Sequence, residues 1–131
     1  MIVLDTHVLI WFVSSPELLS KKAKILIEKE MEKGEILVSS ISIWEIYMLV
    51  KKGRLKLSLG VEEWVRKIEE LPFLNFVPVN NRIAAKSVLL PPPLHPDPAD
   101  RMIIATASIY KAKLITSDKR ILSYPYVAAI W

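Results

Sequence analysis

Short apolar runs alternate with segments of helical periodicity along almost the whole chain, and this alternation restricts the fold more than any other feature. The apolar runs lie at positions 2–4, 36–38, 76–79, 114–116 and 127–130, and they show no polar alternation. Strands that are apolar on both faces are typical of a parallel sheet with helices on each side. The sequence therefore predicts a three-layer α/β/α domain with a central parallel sheet.

Helical patterns fill the intervals between these runs, at positions 20–33, 41–52, 61–71, 81–90 and 98–112. Gly34 and Gly53 directly follow two of them, as is usual just beyond a helix C-terminus. Pro78 places the run 76–79 at the edge of the sheet or at the end of a strand. Positions 8–13 form a short apolar segment whose type the pattern leaves open.

A single domain, residues 1–131, accounts for the chain, which has no repeat, low-complexity tail or linker. The proline-rich segment 91–98 is predicted to be a stiff, ordered loop. The absence of cysteine excludes disulfides, thiolate metal sites and cysteine nucleophiles. The N-terminus does not resemble a signal peptide, and no apolar run approaches the roughly 18 residues of a membrane helix. We therefore expect a cytoplasmic protein without membrane contact.

Composition bears on the partners of the domain. The net charge of +4 fits a polyanionic ligand, and equally fits solvated lysines on helix faces. Hydrophobic residues make up 52% of the chain, above the usual share for a soluble domain. The helix predicted at 41–52 is nearly all apolar through position 50. These features predict an apolar surface that a second copy or another partner covers.

Two carboxylates stand alone in apolar sequence. Asp5 is the only acidic or basic residue from position 1 to 16, apart from His7. Glu45 is the only charged residue from position 36 to 50. Burying a carboxylate costs free energy unless it is paired, hydrogen-bonded or bound to a metal. Neither stretch supplies a lysine or arginine, so the partner must come from elsewhere in the fold or from solution.

Five acids are predicted to gather at one edge of the sheet. Asp5 and Asp118 each directly follow a predicted strand, Glu45 lies early in the helix after the second strand, and Asp97 and Asp100 lie where the helix after the proline loop begins. Open parallel sheets bind ligands beyond the carboxyl ends of their strands. Helix N-termini at the same edge tolerate anions.

Several of these acids also fit structural roles. Ser42-x-x-Glu45 fits a capping box, in which the glutamate reaches back to the first backbone amide of the helix. Asp97 fits an N-cap, because a proline follows it at the first helical position. Asp118 fits the N-cap of a short helix that would start at position 119. Asp5 has the weakest structural alternative.

Four motifs carry a family resemblance: Asp5-Thr6-His7, Trp44-Glu45-Ile46, His95-Pro96-Asp97-Pro98-Ala99-Asp100-Arg101, and Thr116-Ser117-Asp118. In this order and spacing they resemble the PIN-domain ribonucleases, and more narrowly the VapC toxins of prokaryotic toxin–antitoxin pairs. The resemblance spans the whole chain. It implies a PIN-like α/β/α domain, a homodimer, an antitoxin partner, and endonucleolytic cleavage of RNA with Mg²⁺ or Mn²⁺ bound by four acids.

The four acids of the family correspond to Asp5, Glu45, Asp100 and Asp118. Asp100 is preferred to Asp97 at the third position because it directly precedes the apolar part of its helix, which leaves Asp97 as a supporting or capping residue. A ring of carboxylates with no histidine or cysteine suits Mg²⁺, which prefers oxygen ligands. The alternative function is a non-catalytic PIN-fold module that binds RNA or protein.

Other side chains near the motifs are given supporting roles. Three hydroxyl side chains are predicted to donate hydrogen bonds to the site: Thr6, Thr116 and Ser117. Arg101 is predicted either to contact an RNA phosphate or to form a salt bridge within the protein. His7 and His95, the only histidines, are predicted to be surface or turn residues rather than catalytic bases. With only three glycines, the chain has no glycine-rich phosphate loop.

Overall fold

The computed structural model describes all 131 residues, Met1 to Trp131, around one five-stranded sheet. The strands are β1 (Ile2–Leu4), β2 (Ile36–Ser39), β3 (Leu74–Val77), β4 (Lys113–Ile115) and β5 (Ala129–Ile130). They lie in the order β3-β2-β1-β4-β5, and every neighbouring pair is parallel. The predicted central parallel sheet is confirmed.

Seven α-helices connect and flank the strands: α1 (Thr6–Ser14), α2 (Lys21–Lys33), α3 (Ser40–Lys51), α4 (Val61–Glu69), α5 (Asn81–Leu89), α6 (Pro98–Tyr110) and α7 (Lys119–Leu122). A short 3₁₀ turn covers Pro16–Leu18. The unassigned apolar segment 8–13 belongs to α1, and the ends of the other elements differ from the predicted ones by no more than two residues. None of the helices has both the length and the apolar character that crossing a membrane requires.

Two hydrophobic cores cover the two faces of the sheet, which explains why the strands lack polar alternation. In β1, Ile2 and Leu4 pack into one core, whereas Val3 packs into the other. The first core includes Ile27 of α2, and the second includes Ile103 of α6. Strands with both faces buried read as continuous apolar runs. The three-layer α/β/α prediction is therefore confirmed.

Strand order and register determine where polar side chains can meet. The strand β1 is central, with β2 on one side and β4 on the other. The strand order therefore reverses at β1: β2 and β3 extend the sheet on one side, and β4 and β5 on the other. This is a topological switch point, the usual ligand position of an open α/β sheet. Leu4 pairs with Ile115, and the Asp5 amide donates to the Ile115 carbonyl at 3.0 Å. The residues after β1 and β4 therefore emerge side by side.

Candidate metal centre

A polar cleft of about 290 Å³ lies beyond the carboxyl ends of β1 and β4. No hydrophobic residue lines it, and its lining is Asp5, His7, Glu45, Asp97, Asp100, Ser117, Asp118 and Arg120. All five acids predicted to gather at this edge are present. A larger groove, of about 710 Å³, lies along α3 and is lined mainly by apolar side chains. The convergent ionisable groups lie in the smaller cleft, which we therefore take as the candidate site.

Asp5 is held in place by two hydrogen bonds and is only 8% exposed. Its Oδ1 accepts from the Thr6 amide at 2.9 Å, which makes Asp5 the N-cap of α1. Its Oδ2 accepts from the Thr116 hydroxyl at 2.6 Å. Burial raises the pKa of Asp5 above its ordinary value of 3.8, the two hydrogen bonds act in the opposite direction, and the charge of Asp118 adds to the rise. Asp5 is thus fixed in position and costly to ionise.

Glu45 lies in the second turn of α3, and it does not form the capping box. The N-cap is Ser39, whose hydroxyl accepts from the Ile41 amide at 3.2 Å. Ser42 lies inside the helix, where its hydroxyl is hydrogen-bonded to that of Thr6 at 2.8 Å. The capping-box alternative is wrong because β2 runs directly into α3 at Ser39, so that Ser42 and Glu45 already lie beyond the start of the helix.

One oxygen of the Glu45 side chain is left without a hydrogen-bond partner. This atom, Oε1, is buried and accepts no hydrogen bond. Burial raises the pKa of Glu45 above 4.5, the Thr6 side chain acts in the opposite direction, and the charges of Asp5 and Asp100 add to the rise. An unpaired buried carboxylate oxygen is costly to keep. This oxygen is the clearest sign that the cleft is built for a ligand that supplies positive charge.

Asp100 and Asp97 have different roles at the start of α6. The Asp97 Oδ1 accepts from the Asp100 amide at 2.9 Å, and Pro98 follows at the first helical position. The capping role predicted for Asp97 is therefore confirmed. Asp100 instead places its Oδ2 2.7 Å from His95 Nε2, with 13% of its side chain exposed. Burial raises the pKa of Asp100, with smaller contributions from the charges of Asp5 and Asp97.

Asp118 caps the short helix α7, as predicted, and is paired with a cation. Its Oδ1 accepts from the Arg120 amide at 2.8 Å, and the Arg120 guanidinium lies 2.9 Å from its Oδ2. The Arg120 hydrogen bond lowers the pKa of Asp118, with burial acting against it. The Asp118 amide also donates to the Thr116 hydroxyl at 3.1 Å. Asp118 is thus the one acid of the four whose pKa the fold lowers.

The supporting residues differ in what they contribute. The hydroxyl of Thr116 contacts Asp5, as predicted. Thr6 contacts Asp5 through its backbone amide, whereas its buried hydroxyl is directed to Ser42. Ser117 lines the cleft. One of the three predicted hydroxyl donors therefore has the geometry that the prediction required.

Two residues around the proline loop have contacts that the sequence did not predict. Arg101 forms no salt bridge, because its guanidinium donates to the carbonyl oxygens of four residues: Ser87, Val88, Leu94 and His95. His95 lies in the loop between α5 and α6, as the turn prediction expected, but only 12% of its side chain is exposed. His7 is exposed, as predicted, and lines the cleft. Arg101 thus fastens the loop that carries His95 against Asp100.

Sequence reasoning did not identify Arg120 as a residue of the cleft. Nothing in the local sequence separates it from the other surface cations, and only the cap at Asp118 turns its side chain back toward the acids. A basic residue two positions after an N-cap aspartate is the one signal that would have found it.

The donor set fits a hard divalent cation. Ligand atoms of His95, Asp100 and Asp118 all lie within 4.8 Å of one another, and Asp5 and Glu45 line the same cleft. Mg²⁺ and Mn²⁺ favour such oxygen-rich surroundings. Burial, with a smaller contribution from neighbouring carboxylates, raises the pKa of three of the acids, and a bound cation would favour their ionised forms.

Comparison with known proteins gives the family. The family profile described as PIN domain matches residues 2–125. The chain belongs to the PIN-domain family. It is also 33% identical over 132 residues to Ribonuclease VapC22 of Mycobacterium tuberculosis, an alignment that covers 99% of this chain and 98% of that protein. This PIN-domain chain is therefore similar to a VapC protein over its full length.

Solved structures show the same fold. VapBC2 from Rickettsia felis, bound to a DNA fragment from its promoter, aligns with a TM-score of 0.73 at 16% identity, covering 99% of this chain and 98% of that one. FitAcB from Neisseria gonorrhoeae aligns with a TM-score of 0.71 at 19% identity, covering 100% and 97%. A toxin–antitoxin complex from Klebsiella pneumoniae aligns with a TM-score of 0.66 at 23% identity, with the same coverage.

Proposed function

We propose that this PIN-domain protein is an endoribonuclease that depends on Mg²⁺ or Mn²⁺ and acts as the toxin of a toxin–antitoxin pair. The observation that carries the proposal is the convergence of Asp5, Glu45, Asp100 and Asp118, from four separate elements, on a cleft without hydrophobic lining. The likeness to a protein named as a VapC ribonuclease, over the full chain, supports RNA as the substrate.

These four carboxylates would hold the cation. When bound, a divalent cation supplies an activated water and positive charge for the phosphate. The chain's own residues supply the positioning. Thr116 and the first amide of α1 fix both oxygens of Asp5, and Asp97 fixes the turn of α6 that carries Asp100. Ligands held by such hydrogen bonds lose little conformational freedom when the ion binds.

An apolar groove beside the cleft supports a protein partner. Trp44 is 57% exposed and Tyr47 39% exposed on α3, next to Glu45 on the same helix. Two aromatic side chains exposed beside one apolar groove offer a surface that a partner could cover. We propose that the protein forms a homodimer and that an antitoxin segment lies near the acidic cleft and blocks it. The similar solved structures that are toxin–antitoxin complexes support such a partner.

RNA cleavage by the purified chain tests the function. With MgCl₂ or MnCl₂, a labelled single-stranded RNA should be cut internally, and excess EDTA should stop the cleavage. The non-catalytic alternative gives RNA binding without cleavage under every metal condition. If Asp5→Asn, which keeps the cap of α1, cleaves as fast as the parent, the activity comes from a contaminating nuclease and the proposal is wrong.

A further inference from the structure

Arg120 is the only permanently charged cation in the lining of the acidic cleft. Five carboxylates surround the cleft, together with His7, Ser117 and Arg120. Arg101, which was predicted to contact either RNA phosphate or an acid, uses its guanidinium on four backbone carbonyl oxygens of the proline loop and the end of α5. An RNA phosphate that enters the cleft therefore meets one arginine that is not committed to holding backbone.

The Arg120 guanidinium lies between two of the proposed metal ligands. Its Nη2 is 2.9 Å from Asp118 Oδ2 and 3.7 Å from Asp100 Oδ2. Its Nε lies 3.3 Å from the other Asp118 oxygen, so the fork of the guanidinium faces one carboxylate. A divalent cation bound by these acids would neutralise the negative charge that Arg120 neutralises in its absence.

The side chain is free to change partners. It is 62% exposed, and exposed ion pairs contribute little to stability. Its backbone stays at the cleft, because the Arg120 amide is the donor to the Asp118 cap at 2.8 Å. The planar fork of arginine binds phosphate as well as carboxylate, with two parallel hydrogen bonds. A short movement of the side chain would exchange one anion for the other.

We propose that Arg120 is the phosphate-positioning residue of the cleft, paired with Asp118 and Asp100 until a divalent cation binds these acids, and then bound to the RNA phosphate. The inference rests on the proposed metal-dependent ribonuclease function and adds a residue to it. It makes two predictions of opposite sign for one substitution: Arg120→Ala binds the metal more tightly and the RNA more weakly.

Metal affinity is the first test and needs no catalysis. Mn²⁺ titrations followed by electron paramagnetic resonance, without RNA, should give an Arg120→Ala dissociation constant about two- to fivefold lower than that of the parent, the size of an exposed ion pair. Lys119→Ala is the matched control: it removes the same charge from α7, but Lys119 is exposed and pairs with no acid. Its Mn²⁺ affinity should change by less than about twofold, because its charge is screened.

RNA affinity is the second test. Fluorescence anisotropy with a labelled single-stranded RNA, in CaCl₂ to limit cleavage, should show Arg120→Ala binding about tenfold more weakly, the value of one charge-assisted phosphate contact. The slope of log affinity against log salt should fall by about 0.7, as expected when the protein neutralises one phosphate fewer on a single strand. Arg120→Lys keeps the charge without the fork, so it should keep the slope and lose part of the affinity.

The outcomes separate this inference from the function on which it rests. If the parent binds no Mn²⁺, the metal centre is wrong and the role of Arg120 falls with it. If the parent binds Mn²⁺ and cleaves RNA, but Arg120→Ala matches Lys119→Ala in metal affinity or matches the parent in RNA affinity, Arg120 is only a surface ion pair. The proposed function then stands without it.

Discussion

Thr116 donates a 2.6 Å hydrogen bond to Asp5 across 111 residues of sequence. The same hydroxyl accepts from the Asp118 amide at 3.1 Å, so one side chain ties the first and fourth acids of the cleft together. The parallel register of β1 and β4, with Leu4 opposite Ile115, is what brings Asp5 and Thr116 side by side.

Replacing Thr116 with valine should destabilise the protein and disturb the site. Valine fills the same volume but leaves a buried oxygen of Asp5 without its donor, which costs about 1–3 kcal/mol. Urea unfolding measures this loss, and cleavage assays should show reduced activity. Thr116→Ser keeps the hydroxyl and should lose much less. Equal stability of the two variants would mean that the hydrogen bond is unimportant.

RNA cleavage should distinguish the proposed metal ligands, Asp5 and Asp100, from the helix cap, Asp97. Asp5→Asn and Asp100→Asn should lower RNA cleavage by at least about a hundredfold, because each removes a charged ligand, while the far-UV circular dichroism stays unchanged. Asp97→Asn should keep substantial activity, because asparagine caps a helix about as well as aspartate. An inactive Asp97→Asn beside an active Asp100→Asn would reverse our assignment of the third acid.

Divalent cations should stabilise the protein at neutral pH. A ligand that binds only the native state adds roughly 2.7 kcal/mol at a hundredfold excess over its dissociation constant. Asp5→Asn should raise the melting temperature in EDTA, because it removes a carboxylate whose ionised form burial disfavours. Melting curves in EDTA and in MgCl₂ measure both effects. If the acids have only structural roles, the result should be the opposite. Metal should then leave the melting temperature unchanged, and Asp5→Asn should melt at a lower temperature than the parent.

The metal-free protein should become more stable as the pH falls from neutral. Burial raises the pKa of Asp5, Glu45 and Asp100 above their ordinary values of 3.8 for Asp and 4.5 for Glu. An acid with a raised folded pKa destabilises the fold fully above that pKa, and the penalty disappears as the pH falls to the unfolded value. Urea unfolding in EDTA, from neutral pH down to about pH 4, should show the gain.

Asp118 should change the stability of the metal-free protein with the opposite sign, and at a lower pH. Its pKa is lowered by Arg120, so its contribution to stability is present above 3.8 and is lost as the pH falls through the lower, folded value. The stability of the metal-free protein should therefore pass through a maximum in the acidic range. Saturating MgCl₂ should abolish the rise from neutral pH, and a steady fall in EDTA from neutral pH downward would contradict the assignment.

The homodimer is tested by light scattering. A chain of 15.0 kDa with Trp44 and Tyr47 exposed beside a groove of about 710 Å³ is predicted to have twice its monomer mass at micromolar concentration. A single monomeric species would contradict the dimer. In that case the apolar groove remains available to the antitoxin alone.

The fold was largely predictable because its signals are local. Continuous apolar runs predicted strands buried on both faces, and Gly34 marked the end of α2, where its φ of 69° is one that side chains with a Cβ rarely adopt. The isolation of Asp5 and Glu45 in apolar sequence predicted partners from elsewhere in the fold or from solution, and the positions of the acids after strands and at helix starts predicted their convergence. The cleft brings both together with Asp100 and Asp118.

The errors came from side chains whose partners are set by tertiary structure. Ser42 and Glu45 match a capping box by spacing, but the position where β2 ends makes Ser39 the cap instead. Arg101 lies near acids in the sequence, yet its guanidinium is surrounded by carbonyl oxygens of the proline loop and the end of α5. Local spacing cannot distinguish these outcomes, because each depends on where the chain turns.

The four acids are spread across nearly the full length of the chain, and this sets the moment during synthesis at which the cleft can form. Asp5 and Glu45 leave the ribosome early, but β4, the neighbour of β1 that brings Thr116 to Asp5, is among the last elements made. Contacts between such distant segments form only after both exist. On the proposed function, the metal site is complete only when nearly the whole chain has been made.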